Sequence, residues 1–349
     1  MPARLSRRVF AGGLAASAAL ARSWPAFGAE PDTVGVGIAN AISDTVIFVG
    51  IAKNYFHDEG LNVTTSTFAS ASDMVAPLGA GQLDVGGGSA SAGLYNAFIR
   101  GLELKIVADK ASSQPGYGVN DIVVVKSHVD EKRFTGLTDL KGMKVAISGV
   151  GTSSVITLND ALKSAGLQFK DVQVVYMSFP DQVIALRNKA VDAALLTEPF
   201  ATFTISNGIA VKVTSDDKVV PGHDIAVLMY SQAFVTQRSA IAKRFMVAYL
   251  RAVRYYNDAL KGGRFAGSTA DDVISIVAAS TPVKDEALLR TITPSGCDPN
   301  GAVSVASLNH DLQFYRELGL ITGDISAERV VDNSFVAAAR QQLGPYRRH

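Results

Sequence analysis

Two short stretches rich in glycine and hydroxyl side chains are the part of this sequence best suited to chemistry. They run from Gly86 to Ser91 and from Gly149 to Ser154, and each stands between an apolar strand pattern and a helical pattern. Backbone N–H groups at the start of a helix, together with the helix dipole, attract an anion or a polar oxygen. Tight turns without a ligand use the same residue types. Two such stretches in equivalent positions favour a binding site, with plain turns as the alternative.

Three further polar side chains follow strand patterns. Ser43 and Asp44 come after the first strand, and Glu198 leaves the strand Ala193 to Leu196 beside a proline and an aromatic residue. Side chains at such positions can contact a ligand at the carboxyl edge of a sheet. Serine and aspartate are also ordinary helix N-caps, and an acid near a helix N-terminus stabilises the helix without a ligand. Capping is therefore the alternative at all three positions.

Signatures of nucleotide binding, metal binding and nucleophilic catalysis are missing from the sequence. Neither glycine-rich stretch continues into Gly-Lys-Ser/Thr, and Gly149 to Thr152 lacks the third glycine of a dinucleotide fingerprint. Cys297 is the one cysteine, and no Gly-x-Ser-x-Gly elbow occurs. The histidines show no metal-ligand spacing: they are His57, His128, His223, His310 and His349. The sequence therefore predicts no enzyme, no metal site and no cofactor.

The elements that position the polar stretches follow from hydrophobic periodicity. From Thr33 onward, short β-prone runs alternate with helical patterns, which is typical of βα units around a largely parallel sheet. The alternation breaks at Ser112 to Gly118 and resumes at Asp121, so two series are present. Beyond Ser231 the patterns are helical. We therefore predict an α/β protein with two lobes and a helical C-terminal tail packed on the first lobe.

The predicted lobes divide the chain discontinuously. Lobe 1 comprises residues 29–115 and 225–349, lobe 2 comprises residues 116–224, and the chain crosses between them twice. Ligands of such sheets bind outside the carboxyl ends of the strands, so the cleft between the lobes is the predicted site. At finer detail, the pattern predicts a third strand over Leu83 to Gly86, a helix over Ser89 to Ile99 and one helix over Ala327 to Gln342.

The N-terminal residues predict export. Arg7 and Arg8 resemble a twin-arginine pattern, the uncharged run Val9 to Ala21 is shorter than a bilayer span, and Ala26 to Gly28 supplies small-x-small spacing for cleavage. A membrane anchor is the alternative. Without residues 1–28 the chain carries 29 basic and 32 acidic residues, a formal charge of −3, which disfavours a nucleic-acid partner. We expect a soluble, monomeric periplasmic protein without disulfides.

Four stretches resemble the periplasmic solute-binding proteins of nitrate, sulfonate and taurine ABC transporters, which have the type II two-lobed fold. The resemblance spans about residues 33 to 230. The stretches are Val49 to Leu61 (VGIAKNYFHDEGL), Gly79 to Gly88 (GAGQLDVGGG), Thr138 to Ser148 (TDLKGMKVAIS) and Ala185 to Phe200 (ALRNKAVDAALLTEPF).

This resemblance implies a binding protein that closes its two lobes on a small solute and delivers it to a membrane permease. The ligand-binding residues it implies are Ser43, Asp44, Ser89, Ser91, Gly151, Thr152, Ser153 and Glu198, and Tyr117 in the first crossing is a further candidate. These loop positions hold two acids and no lysine or arginine. We therefore expect a small organic solute, such as a sulfonate, a carboxylate, a taurine-like or a related nitrogen compound, whose amine or hydroxyl contacts Asp44 or Glu198.

Two other function classes are alternatives. The same fold resembles thiamin-pyrimidine synthases, but those enzymes carry a cysteine-rich motif that a chain with one cysteine cannot supply. A periplasmic sensor or interaction module is the third interpretation, and it requires an exposed apolar surface for a partner.

Overall fold

Strands rich in valine, isoleucine and alanine form two mixed sheets in a computed structural model that describes residues 30–348. The export signal predicted for residues 1–28 lies outside the described residues. The strands are β1 (Asp32–Ile38), β2 (Leu61–Thr67), β3 (Val85–Gly88), β4 (Lys105–Ser112), β5 (Asn120–Val125), β6 (Lys144–Ile147), β7 (Gln173–Tyr176), β8 (Ala193–Thr197), β9 (Ala210–Ser215), β10 (Asp224–Tyr230), β11 (Leu260–Lys261) and β12 (Arg264–Phe265).

The two large sheets have related strand orders. The first has the order β2-β1-β3-β10-β4 and the second the order β7-β6-β8-β5-β9, while β11 and β12 form a separate hairpin. Strands β1, β2 and β3 are parallel, and β10 runs antiparallel to β3 and β4. In the second sheet β6, β7 and β8 are parallel, and β5 runs antiparallel to β8 and β9. The predicted α/β architecture with two sheets is confirmed.

Helices connect and cover these strands. They are α1 (Thr45–Ala52), α2 (Tyr55–Asp58), α3 (Val75–Gly79), α4 (Ala92–Ile99), α5 (Lys126–Asp130), α6 (Ser153–Ser164), α7 (Phe179–Arg187), α8 (Phe200–Ser206), α9 (Asp216–Val219), α10 (Gln232–Thr236), α11 (Ser239–Asp258), α12 (Ala270–Ser280), α13 (Glu286–Leu289), α14 (Val305–Glu317), α15 (Ala327–Val330) and α16 (Ser334–Leu343). Single 3₁₀ turns occupy Ile42–Asp44, Ala71–Met74, Leu137–Leu140 and Phe169–Asp171.

The chain passes between the sheets twice, and the two crossings are hydrogen-bonded to each other. It leaves the first sheet after β4 and returns to it at β10. Ser113 N–H donates to the His223 carbonyl over 2.9 Å, and Gly222 N–H donates to the Ser113 carbonyl over 2.7 Å. The Ser113 hydroxyl donates to the Val220 carbonyl over 2.6 Å. These bonds hold the crossings side by side, which is the arrangement of a two-stranded hinge.

The C-terminal tail covers the first sheet with its apolar faces. Phe245, Tyr249 and Val253, spaced four residues apart on α11, are fully buried against α1 and α16. Helix α14 of the tail also contacts the half of the chain that contains the second sheet. It packs on α6, and its Phe314 contacts Phe169 in the 3₁₀ turn Phe169–Asp171, with ring centroids 5.8 Å apart. The tail therefore contacts both halves of the chain, and α14 is one of the elements that link them.

Two local boundaries differ from the sequence prediction. Strand β3 covers Val85–Gly88, so Gly87 and Gly88 belong to the sheet and the helix begins at Ala92. Glycine is needed there because a Cβ at Gly88 would lie 2.6 Å from the Cβ of Ala71. The helix predicted over 327–342 is instead α15 and α16, because Val331 leaves the helix to form a parallel bridge with Ile106.

No helix between residues 30 and 348 combines the length and the apolar character that crossing a bilayer requires.

Candidate functional site

A small cavity lies where the carboxyl ends of the parallel strands of both sheets meet. Its volume is about 50 Å³, which corresponds to about three to five water molecules. None of the residues that line it, all within the described chain, carries a charge. The lining residues are Ala39, Ala41, Ser43, Ser70, Ala71, Gly87, Gly88, Ser89, Val119, Asn120, Ser148, Thr152, Ser153, Phe179, Thr197, Ile225 and Ala226.

Four of the predicted binding residues line this cavity: Ser43, Ser89, Thr152 and Ser153. The hydroxyls of Ser89 and Ser153, which follow β3 and open α6, lie 2.8 Å apart and so join the two halves of the site. Thr152 Oγ1 donates to the Gly149 carbonyl over 3.0 Å and lies 2.7 Å from Ser154 Oγ. The hydroxyl side chains of the two glycine-rich stretches are thus brought together.

The remaining predicted residues do not line the cavity. Ser91 is the N-cap of α4 and accepts a bond from Leu94 N–H. Gly151 has a φ of +59° and its carbonyl accepts from Ala92 N–H over 2.8 Å. Tyr117 lies in the first crossing and packs against the core of the first sheet. These residues position neighbouring backbone, and direct ligand contact from them stays a prediction.

Asp44 is buried behind Ser43 in an ion pair with Lys110. Its Oδ1 lies 2.6 Å from Lys110 Nζ, and the exposed fractions of the two side chains are 0% and 1%. Its Oδ2 accepts from Ala39 N–H and Ala41 N–H and so fixes the loop after β1. Lys110 also donates to Ser43 Oγ over 3.0 Å. A cation therefore reaches the cavity wall through one hydroxyl.

No sequence pattern predicted a role at this site for Lys110, Asn120 or Thr197. Beyond Lys105 at its start, β4 is apolar or small except for Asp109 and Lys110. Two adjacent charged residues inside a buried strand are the signal that could have identified Lys110. Asn120 begins β5 and Thr197 ends β8, and the two are paired in register. Only that pairing brings them to one cavity, because they are distant in the chain.

Asn120 and Thr197 each present a polar atom without a partner. Asn120 Nδ2 and Thr197 Oγ1 are buried and have no hydrogen-bond partner within residues 30–348. Both residues line the cavity, and they are 4% and 1% exposed. A buried group left unsatisfied costs about 1–3 kcal/mol. The site therefore has unused hydrogen-bonding capacity that a ligand oxygen would satisfy.

Glu198 joins the two halves of the chain without lining the cavity. Its carboxylate accepts from Thr202 N–H over 2.9 Å, from the Thr202 hydroxyl over 2.6 Å and from Thr293 N–H over 3.4 Å. Its carbonyl accepts from Ile42 N–H over 2.9 Å. Burial, and secondarily the charge of Asp121, raise the pKa of Glu198 to about 7. The carboxylate thus connects Thr202 on α8 with Thr293 in the C-terminal tail.

The Glu198→Gln variant is expected to become more stable relative to the parent as pH rises. The folded-state pKa of about 7 exceeds the usual glutamate pKa of about 4.3. At pH values between these two pKa values, the folded parent therefore binds more protons than the unfolded chain. The parent therefore loses stability as pH rises through about 7, and glutamine removes this loss. The expected gain of the variant is on the order of 3 kcal/mol between about pH 5 and pH 8, from urea unfolding at each pH.

Other carboxyl groups titrate in both proteins, so only the difference between the two pH curves is informative. Parallel curves would show that the Glu198 carboxyl is exposed to water in solution and that its contacts with Thr202 and Thr293 are broken there.

Comparison with known proteins places this chain in a family. The sequence pattern of the NMT1-like family matches residues 28–266. A Brachyspira hyodysenteriae protein, provisionally named an ABC transporter periplasmic binding protein, is 29% identical over 209 residues, which is 58% of each chain. A Brucella abortus protein, provisionally named a binding protein, is 32% identical over 168 residues, 46% of each chain. The matches thus span about half the length of these curated relatives.

Solved structures share the fold. The nitrate-binding protein NrtA from Synechocystis PCC 6803 matches with a TM-score of 0.74 and 14% identity, covering 90% of this chain and 89% of that one. The alkanesulfonate-binding protein SsuA from Xanthomonas axonopodis pv. citri gives 0.68 and 18%, covering 87% and 99%. The desulfurization enzyme DSZB gives 0.61 and 15%, covering 90% and 100%. At such identities the likeness establishes the periplasmic-binding-protein fold, and the profile match over residues 28–266 shows that the chain belongs to the NMT1-like family.

Proposed function

We propose that this protein is the periplasmic substrate-binding component of an ABC transporter and that it encloses a small solute in the cavity between its two sheets. In this proposal residues 29–115 and 225–349 form lobe 1, residues 116–224 form lobe 2, and residues 1–28 direct export. The binding-protein relatives and the position of the cavity at the strand ends support this function. A membrane permease is the partner, and the protein acts as a monomer.

One observation carries the proposal: Asn120 and Thr197 line an uncharged cavity, and Asn120 Nδ2 and Thr197 Oγ1 have no hydrogen-bond partner within the described residues. Asn120 Nδ2 can only donate a hydrogen bond, and the Thr197 hydroxyl can donate one. Both groups are therefore suited to oxygen acceptors on a solute. Each hydrogen bond that these atoms donate to the solute contributes to its affinity.

The solute that fits best is small and presents several acceptor oxygens. The serine and threonine hydroxyls, the Asn120 amide and the start of α6 all offer donors to the cavity. Lys110, one hydroxyl behind the wall at Ser43, adds positive potential. A carboxylate, a sulfonate or a similar oxyanion group matches this surface, and the remainder of the solute contacts Phe179 and the alanines.

The amine-binding role expected of Asp44 and Glu198 is not part of this proposal. Asp44 is occupied by Lys110 and two backbone N–H groups, and Glu198 by Thr202 and Thr293. An amine on the solute would have to displace these buried partners, at a cost of several hydrogen bonds.

Hinge closure is the proposed mechanism. Several contacts join the proposed lobes in the described form, among them Ser89 with Ser153, Ser72 with Val150, Ala92 with Gly151 and Ile42 with Glu198. A solute that satisfies Asn120 and Thr197 binds the closed form more tightly than the open form, and that difference drives closure. The permease then recognises the closed form.

An enzyme on this fold is the second candidate, and the Ser43–Lys110 contact is the observation to weigh for it. A serine beside a lysine serves as a nucleophile only when the lysine is neutral. Asp44, at 2.6 Å from Nζ, stabilises the charged ammonium, which has no lone pair to accept the serine proton. The contact therefore favours binding over acyl transfer.

Thr197→Val is expected to weaken solute binding by about 10-fold or more while leaving the free protein equally or more stable, since no described residue is hydrogen-bonded to the hydroxyl. The solute is first identified by a thermal-shift screen of the mature chain against sulfonates, carboxylates, amino acids, pyrimidines and nitrate. Isothermal titration then compares the parent with the variant.

Thr204→Val is the matched control. Thr204 is buried and its hydroxyl donates to the Phe200 carbonyl over 2.7 Å, away from the cavity. We expect it to cost about 1 kcal/mol of stability and to leave affinity unchanged. Equal affinity of the Thr197→Val variant and the parent would exclude this hydroxyl from the site, and silence throughout the screen would favour an interaction module.

A further inference from the structure

Two histidines and one aspartate meet beside the second crossing, and none of them lines the solute cavity. His223 Nε2 lies 2.5 Å from Asp311 Oδ1, and His310 Nδ1 lies 3.6 Å from the same oxygen. One donor atom from each residue lies within 4.8 Å of the other two. His223 and Asp311 are buried, with side chains 2% exposed, whereas His310 is 47% exposed. The cluster is thus a largely buried group with one side open to solvent.

The spacing is close to that of a bound transition metal. Zinc binds imidazole nitrogen and carboxylate oxygen at about 2.0–2.2 Å, so neighbouring ligands of a tetrahedral ion lie about 3.4 Å apart. The atoms of His223, His310 and Asp311 bracket that distance. Side-chain rotations that move the donor atoms by about an ångström would place all three atoms around one ion. A fourth coordination position would remain for water.

A second observation comes from the other side of the His310 ring. Its Nε2 lies 3.5 Å from Asp160 Oδ2. That oxygen is buried and has no hydrogen-bond partner in the described part of the chain. A metal-binding histidine usually donates its second ring N–H to a carboxylate, which fixes the ring and increases the basicity of the ligating nitrogen. Asp160 stands in the position of that orienting carboxylate.

The charges around the cluster also favour a cation. Asp216 and Asp224 add their negative potential to that of Asp311 at His223. These carboxylates concentrate negative potential in a poorly solvated place. A divalent ion would neutralise it, and nitrogen and oxygen donors suit zinc and its neighbours in the first transition row.

We propose that His223, His310 and Asp311 form a binding site for a divalent transition-metal ion, with Asp160 as the positioning residue that orients His310. The ligands come from the second crossing and from α14, and Asp160 comes from α6, the helix that carries Ser153 into the solute cavity. An ion here would tie together the three elements that link the two sheets. Sequence spacing did not predict this site because His223 and Asp311 are 88 residues apart.

The test uses the untagged chain, stripped with a chelator and titrated with zinc chloride by calorimetry and with cobalt chloride by visible absorption. We expect saturation at one ion per chain, a cobalt spectrum with imidazole ligands and a raised melting temperature with zinc. His310→Ala, at a half-exposed position that should tolerate truncation, is expected to weaken binding about 100-fold or more. Asp160→Asn is expected to weaken it about 10- to 100-fold.

His128→Ala is the matched control. His128 is another buried histidine paired with a carboxylate, with its Nε2 2.7 Å from Asp192 Oδ1. Because no second histidine between residues 30 and 348 joins that pair, the substitution should leave zinc affinity unchanged. Absence of saturable binding, or binding that His310→Ala leaves intact, would overturn the proposal and identify the cluster as hydrogen-bonded His–Asp pairs. Neither result depends on which solute the cavity holds.

Discussion

Replacing Lys110 with methionine is expected to lower the free energy of unfolding by about 3–5 kcal/mol, because it leaves the buried Asp44 carboxylate without its counter-ion. Both side chains are essentially inaccessible and their charged atoms lie 2.6 Å apart. Methionine fills much of the same volume, so the loss reports the charge and not a cavity. Urea unfolding at neutral pH measures the change.

Two comparisons make this result specific. The Lys53→Met variant breaks the surface pair with Asp272, whose side chains are 33% and 44% exposed, and should cost at most about 1 kcal/mol. The double variant Lys110→Met with Asp44→Asn should recover much of the loss, since asparagine has no charge to leave unpaired. A Lys110→Met variant as stable as the Lys53→Met variant would contradict a buried ion pair.

Replacing Gly151 with alanine is expected to reduce solute affinity by about 100-fold or more while the open protein stays folded. A Cβ at this position would lie 2.5 Å from the Cβ of Ala92 on the opposite side of the cleft. The backbone φ of +59° adds about 1–2 kcal/mol of strain for any residue with a Cβ. Opening the cleft relieves the contact between the two side chains, so the substitution disfavours the closed form selectively.

Gly208→Ala separates the two effects. Gly208 has a similar φ of +65°, and a Cβ there would meet nothing within 4 Å. We therefore expect it to lose stability without losing affinity. Isothermal titration gives the affinities, and small-angle scattering shows whether the solute still compacts each variant. If Gly151→Ala binds the solute as tightly as Gly208→Ala does, the closed contact at Ala92 plays no part in binding.

The sequence predicted the arrangement of elements well where local patterns determine it. Alternating strand and helix patterns led to two α/β sheets, and the break between Ser112 and Gly118 marked the first crossing. The predicted end of β3 was wrong, because three consecutive glycines are typical of a loop in sequence. They form a strand here since Leu78, Lys110 and Ala71 pack where their side chains would be. Propensity alone cannot indicate such a close approach.

The candidate site shows the same division. The hydroxyls of Ser43, Ser89, Thr152 and Ser153 were selected because they follow strands, and they line the cavity. Asn120 was overlooked because it begins a strand that runs antiparallel to its neighbours. A residue at the start of such a strand lies at the same edge as the ends of the parallel strands. Strand direction within the sheet therefore decided which end of β5 lies at the cavity.

What the sequence determined by itself is therefore the class of fold, the order of the elements and the loops from which a ligand would be approached, since these depend on local periodicity and turn chemistry. The tertiary structure decided which groups are paired and which remain available. Asp44 finds Lys110 on β4 and Glu198 finds Thr293 beyond α13, whereas Asn120 Nδ2 and Thr197 Oγ1 find no partner within residues 30–348. These outcomes depend on strand register and on the docking of distant segments. Because these groups are buried, an unpaired charge or a missing hydrogen bond costs up to several kcal/mol of folding free energy.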